Sequence, residues 1–295
     1  MTPKLRADLM LLLAAAIWGF AFVAQRLGME HIGPFAFNGI RFAMGALVLI
    51  PLVRYRSRQA TEKPAPLKTD LRKGVILGLV LFAGASLQQF GVVFTTAGKA
   101  GFITGLYVVL VPLLGLFVGQ KTNRRTWLGA ALAVAGLYFL TITGRMHMDK
   151  GDMLVFMGAF FWATHVLLIG RWAPHTEPVR LASLQFAVCA VLSLVSALIF
   201  ESDGWGGVPD ALGPILYAGL LSTGVAYTMQ VVAQRHAPPA HAAIILSSEA
   251  VFAVLGGMVV LSESLATRGL IGCGLMLAGM IISQIEPRKR RAPVG

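Results

Sequence analysis

Ten apolar runs, separated by short segments rich in glycine, proline and charge, constrain the fold of this 295-residue chain more than any other feature. They are residues 8–27, 34–54, 72–94, 100–119, 126–143, 152–170, 180–200, 211–233, 240–261 and 268–285. A helix needs roughly 20 apolar residues to cross a bilayer, and each run is close to that length. A helix also forms all its backbone hydrogen bonds within itself, which is necessary because the bilayer core contains no water to bond to free N–H and C=O groups. The runs therefore predict an all-α integral membrane protein of about ten transmembrane helices.

The composition agrees with a membrane setting, and no soluble domain fits the chain. Hydrophobic residues make up 56% of the sequence, charged residues make up 13%, and the mean hydropathy is +0.73. A soluble protein needs more charge than this to wet its surface. Cys189 and Cys273 both lie in apolar runs, where thiols behave as small hydrophobic groups. We therefore expect no metal site and no cofactor.

Positive charges fall mainly on one side of the predicted membrane. With the amino terminus inside, the inner segments hold 19 of the 25 lysines and arginines, the outer segments hold 5, and Arg41 lies within a span. Lys and Arg are retained on the cytoplasmic side of short loops. We therefore predict a multi-pass protein of the plasma (cytoplasmic) membrane with both termini cytoplasmic. Anionic lipid headgroups account for the basic inner face and the formal charge of +12, so no nucleic acid partner is expected.

The two halves of the chain resemble each other. A shift of 144 residues superposes residues of the same type: Asp8 on Asp152, Trp18 on Trp162 and Pro34 on Pro178. We interpret this as a duplication, with a first five-helix repeat over 1–145 and a second over 146–295 that ends in a basic cytoplasmic tail. Five is odd, so the second repeat enters the membrane inverted. Transporters with inverted repeats place the substrate near the membrane midplane and expose it alternately to either side.

Glu249 is the leading clue to function, because it lies near the middle of the apolar run 240–261. A carboxylate in hydrocarbon costs several kcal/mol unless it is paired, protonated or in contact with water. Two settings fit it. Either Glu249 is a structural carboxylate, tied to Arg41, whose depth differs by only about 6 Å, or to a free backbone group, or it faces a cavity and exchanges protons. An anionic group of the substrate is an alternative partner for Arg41.

Polar side chains on otherwise apolar helices mark the predicted substrate path, because polar groups prefer the bundle interior to lipid. The candidate substrate or coupling residues are Glu249, Arg41, Gln88, Gln89, Thr104, Tyr107, Trp162, Tyr227, Ser247 and Ser248, with Trp18, His165 and Gln230 as further candidates. For each amide or hydroxyl the alternative is a helix–helix hydrogen bond, and for the two tryptophans it is packing within their own halves. For His165, near the inner end of its span, the alternative is a water-exposed imidazole.

Short motifs spread over the chain are shared with a known group of transporters. They are Ile17-Trp18-Gly19, Arg41-Phe42, Val111-Pro112 and Leu261-Ser262-Glu263, followed by Gly272 and Gly279. Together they resemble the drug/metabolite transporter superfamily in its EamA-type ten-span form. The resemblance implies transport of amino acids, nucleobases, sugar derivatives or other small metabolites, often outward. Two positions depart from the family pattern: Ala250 stands where proline is common, and Gln120-Lys121 replaces a glutamate resembling Glu263. Unequal roles for the two halves are therefore expected.

These features predict an exporter of small metabolites such as amino acids that works by alternating access. An importer, or a drug or nucleobase carrier of the same fold, is the alternative; a channel fits less well, because no pore ring or carbonyl filter is visible. The chain has no His-Glu-x-x-His and no Gly-x-Ser-x-Gly motif, so we predict that it is not an enzyme. The expected partners are the lipid bilayer and a small-molecule substrate, with protons as a candidate coupling ion and a homodimer left open.

A reporter fused after Arg291 is expected to behave as cytoplasmic, and one inserted at Gly206 as external. The distribution of positive charge is the physical reason. Paired reporters, one active only in the cytoplasm and one only outside, check this in intact cells. An external carboxyl terminus would overturn both the orientation and the even number of spans.

Overall fold

The computed structural model describes residues 1–59, 67–95, 97–120, 122–141, 149–201, 204–261 and 267–284. Several features of the sequence lie outside these residues: Lys121, the proposed boundary between the repeats at 145/146, the Ser262-Glu263 pair and the basic tail that contains Arg291. The described residues form helices and no strand, which confirms the predicted all-α class.

Ten helical segments follow one another in the order that the sequence predicts. They are α1 (Pro3–Gly28), α2 (Pro34–Gln59), α3 (Leu67–Phe94), α4 (97–117), α5 (Arg124–Thr141), α6 (Lys150–Trp172), α7 (Pro178–Phe200), α8 (Leu212–Ala233), α9 (239–261) and α10 (Thr267–Gln284). Among the described residues, eight segments contain a helix long and apolar enough to cross a membrane, and Thr267–Ser283 is a shorter apolar helix. The remaining segment, α5, packs along α10. The structure is therefore that of a multi-pass membrane protein.

Two helices are interrupted where they pass the interior of the protein. Helix α4 consists of Ala97–Gly105 and Tyr107–Phe117, and helix α9 consists of Pro239–Leu246 and Glu249–Leu261. At the break in α9, the hydroxyls of Ser247 and Ser248 donate to backbone carbonyls three residues earlier, at 2.8 and 2.6 Å. In inverted-repeat transporters such breaks expose polar groups to a cavity near the midplane.

Helix α8 is interrupted in a different way, by the π-helical stretch Tyr217–Tyr227. Within this stretch the Thr223 hydroxyl donates to the Ala218 carbonyl, five residues earlier, at 2.8 Å. A π-helical stretch shifts the face that a helix presents, and such stretches are frequent at functional sites.

Helix contacts follow a pseudo-two-fold exchange of the two halves, in which helix n takes the place of helix n + 5. The pairs α2–α7 and α5–α10 map onto themselves under this exchange. The contact of α1 with α9 maps onto that of α6 with α4, and the contact of α1 with α8 maps onto that of α6 with α3. The first helix of each half therefore packs against the third and fourth helices of the other half.

The two aspartates that match in the sequence make equivalent contacts. At the start of α1, Asp8 Oδ1 lies 2.8 Å from His241 Nε2 at the start of α9. At the start of α6, Asp152 Oδ2 lies 2.7 Å from Lys99 Nζ near the start of α4. The exchange of the halves carries α1 and α9 onto α6 and α4. Gly170, near the end of α6, packs against Pro239 at the start of α9, so α6 ends where α1 begins. The two helices therefore run in opposite directions, and the two aspartate contacts lie at opposite ends of the protein.

Glycines let α5 and α10 touch backbone to backbone. A Cβ added at Gly279 of α10 would lie 2.6 Å from the Gly129 carbonyl oxygen of α5, and one added at Gly129 would lie 2.7 Å from the Gly279 oxygen. Lipid tails are as apolar as the helices, so close packing of this kind supplies much of the attraction between membrane helices. The same device brings α1 against α9, where a Cβ at Gly19 would lie 2.3 Å from Phe252 Cβ.

Gly279→Leu is expected to lower the Tm of the purified protein, because overpacking costs about 1–3 kcal/mol and this contact has no space for a side chain. Gly274→Leu on the same helix is the matched control, since a Cβ there meets nothing within 4 Å. Thermal unfolding in detergent compares the two variants. Equal Tm values would show that the glycine contact does not hold α5 and α10 together.

Candidate functional site

An interior cavity, with about 40 Å³ of space for water-sized molecules, is lined by helices of both halves. Ten of the thirteen candidate residues line it: Trp18, Arg41, Gln88, Thr104, Tyr107, Trp162, His165, Tyr227, Gln230 and Glu249. Polar positions that are far apart in the sequence therefore converge on one cavity.

The other three candidates, Gln89, Ser247 and Ser248, are buried but are not part of the cavity wall. The two serines bond to carbonyls of their own helix. Gln89 Nε2 lies 3.5 Å from the backbone oxygen of Gln25, at the limit of a hydrogen bond. Adjacent residues are about 100° apart on a helix, which is why Gln88 faces the cavity and Gln89 does not.

The cavity wall also contains residues that the sequence did not single out: Phe22, Gln25, Val166, Ser222 and Leu246. Gln25 lies near the end of the apolar run 8–27, beside Arg26. Gln25 is seven residues after Trp18, which is about two helical turns, so the two residues lie on the same face of α1. This spacing could have identified Gln25 from the sequence. Ser222 belongs to the π-helical stretch of α8, which a regular helical period does not predict.

Aromatic rings form one wall of the cavity around Tyr227. The ring centroid of Trp18 lies 4.5 Å from that of Tyr227, and the centroid of Trp162 lies 6.1 Å from it in a nearly parallel arrangement. Phe42 and Phe186 pack behind Tyr227 at 6.1 and 6.0 Å. The two tryptophans that match in the sequence therefore face the same tyrosine, one from each half, and both are in reach of a bound molecule.

Gln88 is the centre of a hydrogen-bond network on another part of the wall. Its Oε1 accepts from Trp162 Nε1 at 2.8 Å and from Thr104 Oγ1 at 3.4 Å, and its Nε2 donates to Gln25 Oε1 at 3.2 Å. Trp18 has a different partner, because its Nε1 donates to the backbone oxygen of Ser222 at 3.2 Å. The indole N–H groups of the two matched tryptophans therefore have different acceptors.

Arg41 is buried with its charge incompletely satisfied. Its Nε donates to Asn38 Oδ1 at 2.9 Å, one turn earlier on α2, and its guanidinium carbon lies 4.6 Å from the centroid of the Phe42 ring. Arg41 Nη2 has no hydrogen-bond partner among the described residues. A ring face attracts a cation but does not replace a carboxylate, so Arg41 presents an open donor in the cavity wall.

Glu249 is buried at the first position of the second half of α9. The Tyr107 hydroxyl lies close enough to interact with the Glu249 carboxyl group, although neither this hydroxyl nor Glu249 Oε1 makes a hydrogen bond of normal geometry in the part of the chain that the structure describes. The amino terminus of a helix carries a partial positive charge, which favours a carboxylate at this position. Glu249 therefore presents an open acceptor to the cavity.

Arg41 and Glu249 do not form an ion pair in this structure. Helix α2 packs against α7 and α8, whereas α9 packs against α1 and α4, so the two side chains approach the cavity from different helices. Arg41, Tyr227 and Glu249 all line the same cavity. Of the two settings that the sequence leaves open for Glu249, the structure therefore supports the cavity-facing carboxyl.

His165 is buried in the cavity wall rather than exposed to water, so that alternative is wrong. It is 1% exposed, and its Nε2 lies 2.8 Å from Gln185 Oε1 of α7. Gln185 occupies the position that matches Arg41 in the sequence. At this position the first half therefore has a cation, Arg41, whereas the second half has an amide, Gln185, that contacts His165.

Among the described residues, no group of three or more histidine, cysteine, aspartate or glutamate side chains is arranged to hold a metal ion. Gln230 also lines the cavity, and its Oε1 is a further acceptor without a partner there. The site thus consists of one cation, one carboxyl group, amides and aromatic rings. Such groups bind and orient a small polar molecule.

Proteins similar to this chain are known in both sequence and fold. The sequence pattern of the EamA-like transporter family matches residues 5–142 and again 149–284. An "Uncharacterized transporter" of Archaeoglobus fulgidus is 32% identical over 96% of this chain and 87% of its own length. The threonine/homoserine exporter RhtA of Escherichia coli is 28% identical, over 95% of this chain and 92% of its own.

The fold also occurs among solved structures. One crystal structure superposes with a TM-score of 0.77 at 18% identity and covers 94% of this chain and 96% of that one. Identity at this level shows the fold alone, whereas the family pattern covers nearly the whole chain in two successive matches. The chain belongs to the EamA-like transporter family, and it is a multi-pass membrane transporter.

Proposed function

We propose that this protein exports small zwitterionic metabolites, amino acids above all, by alternating access. The observation that carries the proposal is the pair of open, opposite charges in one cavity, Arg41 with a free Nη2 and Glu249 with a free Oε1. A carboxylate on the substrate would pair with Arg41, and an ammonium group would pair with Glu249. A ligand with one charge would leave the other protein charge buried and unpaired, at a cost of several kcal/mol.

The aromatic wall gives the site a place for the rest of the substrate. Trp18, Tyr227 and Trp162 pack against one another in the cavity wall. Aromatic rings of this kind would pack against an apolar or small polar side chain of the substrate and would accept side chains of different lengths. The Gln88 amide and the acceptor of Gln230 would orient a hydroxyl or amide on the substrate.

The relatives support the same class of substrate and the same direction. RhtA is a threonine/homoserine exporter, and both of its named substrates carry an ammonium and a carboxylate on one carbon. We therefore place threonine and homoserine first among the compounds to test. Nucleobases and planar drugs, which lack this pair of charges, are the competing class.

Alternating access would follow from the duplicated architecture. We propose that the halves 1–145 and 146–295 are inverted repeats, in a cytoplasmic membrane with both termini cytoplasmic. The reciprocal contacts of α1 with α8 and α9, and of α6 with α3 and α4, support this relation. Two equivalent arrangements of the helices would then expose the cavity to one side or the other.

Glu249 would couple export to protons, because one carboxylate can hold either the substrate ammonium or a proton. Release of the substrate outside would let a proton take its place, and release of the proton inside would restore the charged form for the next substrate. No other acidic side chain lines the described cavity. Each transport cycle would thus exchange one zwitterion for one proton.

Glu249→Gln is expected to abolish accumulation driven by a pH gradient in proteoliposomes, while counterflow of the same amino acid persists with KM raised about tenfold. The amide cannot take up a proton, and its oxygen still accepts a hydrogen bond from an ammonium group. Glu30→Gln, at an exposed position, is the control and should behave as the wild type.

Two results would contradict the proposal in different ways. Gradient-driven accumulation that survives in Glu249→Gln with unchanged pH dependence would remove proton coupling through this residue. Counterflow of nucleobases but of no amino acid by the wild type would remove the zwitterion as the substrate class.

A further inference from the structure

Six helices around the cavity form two groups that mix the halves of the chain. Group A consists of α1, α8 and α9, and group B consists of α6, α3 and α4. The exchange of the halves carries each group onto the other. Each group contains the first helix of one half and the third and fourth helices of the other, so the repeats themselves are not the compact units of the structure.

Polar contacts fasten the helices within each group. In group A, Asp8 contacts His241, and the Tyr217 hydroxyl of α8 donates to the Ile17 carbonyl of α1 at 3.0 Å. In group B, Asp152 pairs with Lys99, and Trp162 donates to Gln88. These contacts would survive any motion in which each group moves as a unit.

One contact between the groups lies where α1 and α3 end. Gln88 Nε2 of α3 donates to Gln25 Oε1 of α1 at 3.2 Å, and Gln89 Nε2 lies 3.5 Å from the Gln25 backbone oxygen. Gln25 is three residues from the last residue of α1, Gly28, whereas Trp18 lies two turns deeper. Gln25 thus makes a polar contact between group A and group B on the side of the cavity toward this end of the protein.

A second contact between the groups lies where α6 and α8 end. Gln234 Nε2, just after α8, donates to the Val166 carbonyl of α6 at 2.9 Å. The helices are tightly packed beside it, since a Cβ added at Gly170 would lie 2.4 Å from Pro239 Cγ at the start of α9. Because α1 and α6 run in opposite directions, this contact lies at the opposite end of the cavity from Gln25.

The two contacts occupy equivalent places in the architecture. The exchange of the halves carries the α1–α3 contact onto the α6–α8 contact. We infer that Gln25 with Gln88 forms the gate at one end of the cavity, and that Gln234 with the Val166 carbonyl forms the gate at the other. The inference rests on the proposed alternating access, in which groups A and B rock against each other and one gate opens at a time.

Amide hydrogen bonds suit a gate of this kind. Such bonds between membrane helices are weak enough to break in each cycle, and their loss shifts a two-state equilibrium by a modest factor. Val166 lies inside α6, so its carbonyl keeps an intrahelical partner when Gln234 withdraws. Gln88 keeps Thr104 and Trp162 as donors to its Oε1 when Gln25 withdraws. Opening either gate therefore leaves few polar groups without partners.

The test measures the face from which the cavity is reached. Ser222→Cys places a single thiol in the cavity wall when Cys189 and Cys273 are both replaced by alanine. A charged, membrane-impermeant methanethiosulfonate is applied to intact cells and, separately, to inverted membrane vesicles. The ratio of the two labelling rates reports which end is open, and it requires no knowledge of the substrate.

Gln234→Leu is expected to raise labelling from one face about three- to tenfold, the factor expected for the loss of one interhelical hydrogen bond. Gln25→Leu is expected to raise labelling from the opposite face by a similar factor. Gly170→Ala, which forces α6 away from Pro239, should act on the same face as Gln234→Leu and provides a second route to that gate. Asp8→Asn weakens a contact within group A and should leave the ratio unchanged.

An increase from the same face for Gln25→Leu and Gln234→Leu would overturn the assignment of the gates. An unchanged ratio in folded Gln234→Leu and Gly170→Ala would do the same. Because labelling needs no amino acid, opposite shifts by the two glutamine variants would support the gates even if the wild type transported no zwitterion.

Discussion

Two buried ionisable side chains that do not meet each other, a guanidinium and a carboxyl group, constrain the rest of this structure. Arg41 is 2% exposed and Glu249 is 3% exposed, and neither has an ion-pair partner within the described residues. An isolated charge inside a protein is unfavourable by several kcal/mol. A helix bundle without a function for these two groups would therefore be expected to lack them or to pair them with each other. Both line one cavity without meeting, and a zwitterion would satisfy both at once.

The helices around the cavity are built to hold these charges in place. A break in α9 puts Glu249 at the start of a half-helix, whereas Arg41 lies in the long helix α2, which is packed along α7. Glycine contacts fix α5 against α10 away from the cavity. Polar contacts that can exchange partners lie instead between groups A and B, where a transporter must move.

Much of the fold was predictable because the membrane imposes simple rules. Apolar runs gave the helices, and the match of Asp8 with Asp152 indicated a duplication that the reciprocal helix contacts support. The direction of each side chain was harder to predict. Whether Arg41 meets Glu249 depends on which helices are neighbours, and the π-helical stretch that brings Ser222 to the cavity leaves no simple periodic signal. The polar residues within apolar helices thus identified most of the cavity wall, whereas the contacts of each residue depended on how the helices pack.

The most direct test compares the binding of three ligands: an amino acid, its methyl ester and its decarboxylated amine. Each is titrated calorimetrically into the purified wild type, Arg41→Met and Glu249→Gln. We expect loss of the ligand carboxylate to weaken binding to the wild type about tenfold or more and to change binding to Arg41→Met little, because the same interaction is then already absent. Equal losses in the wild type and Arg41→Met would contradict the claim that Arg41 meets the substrate carboxylate.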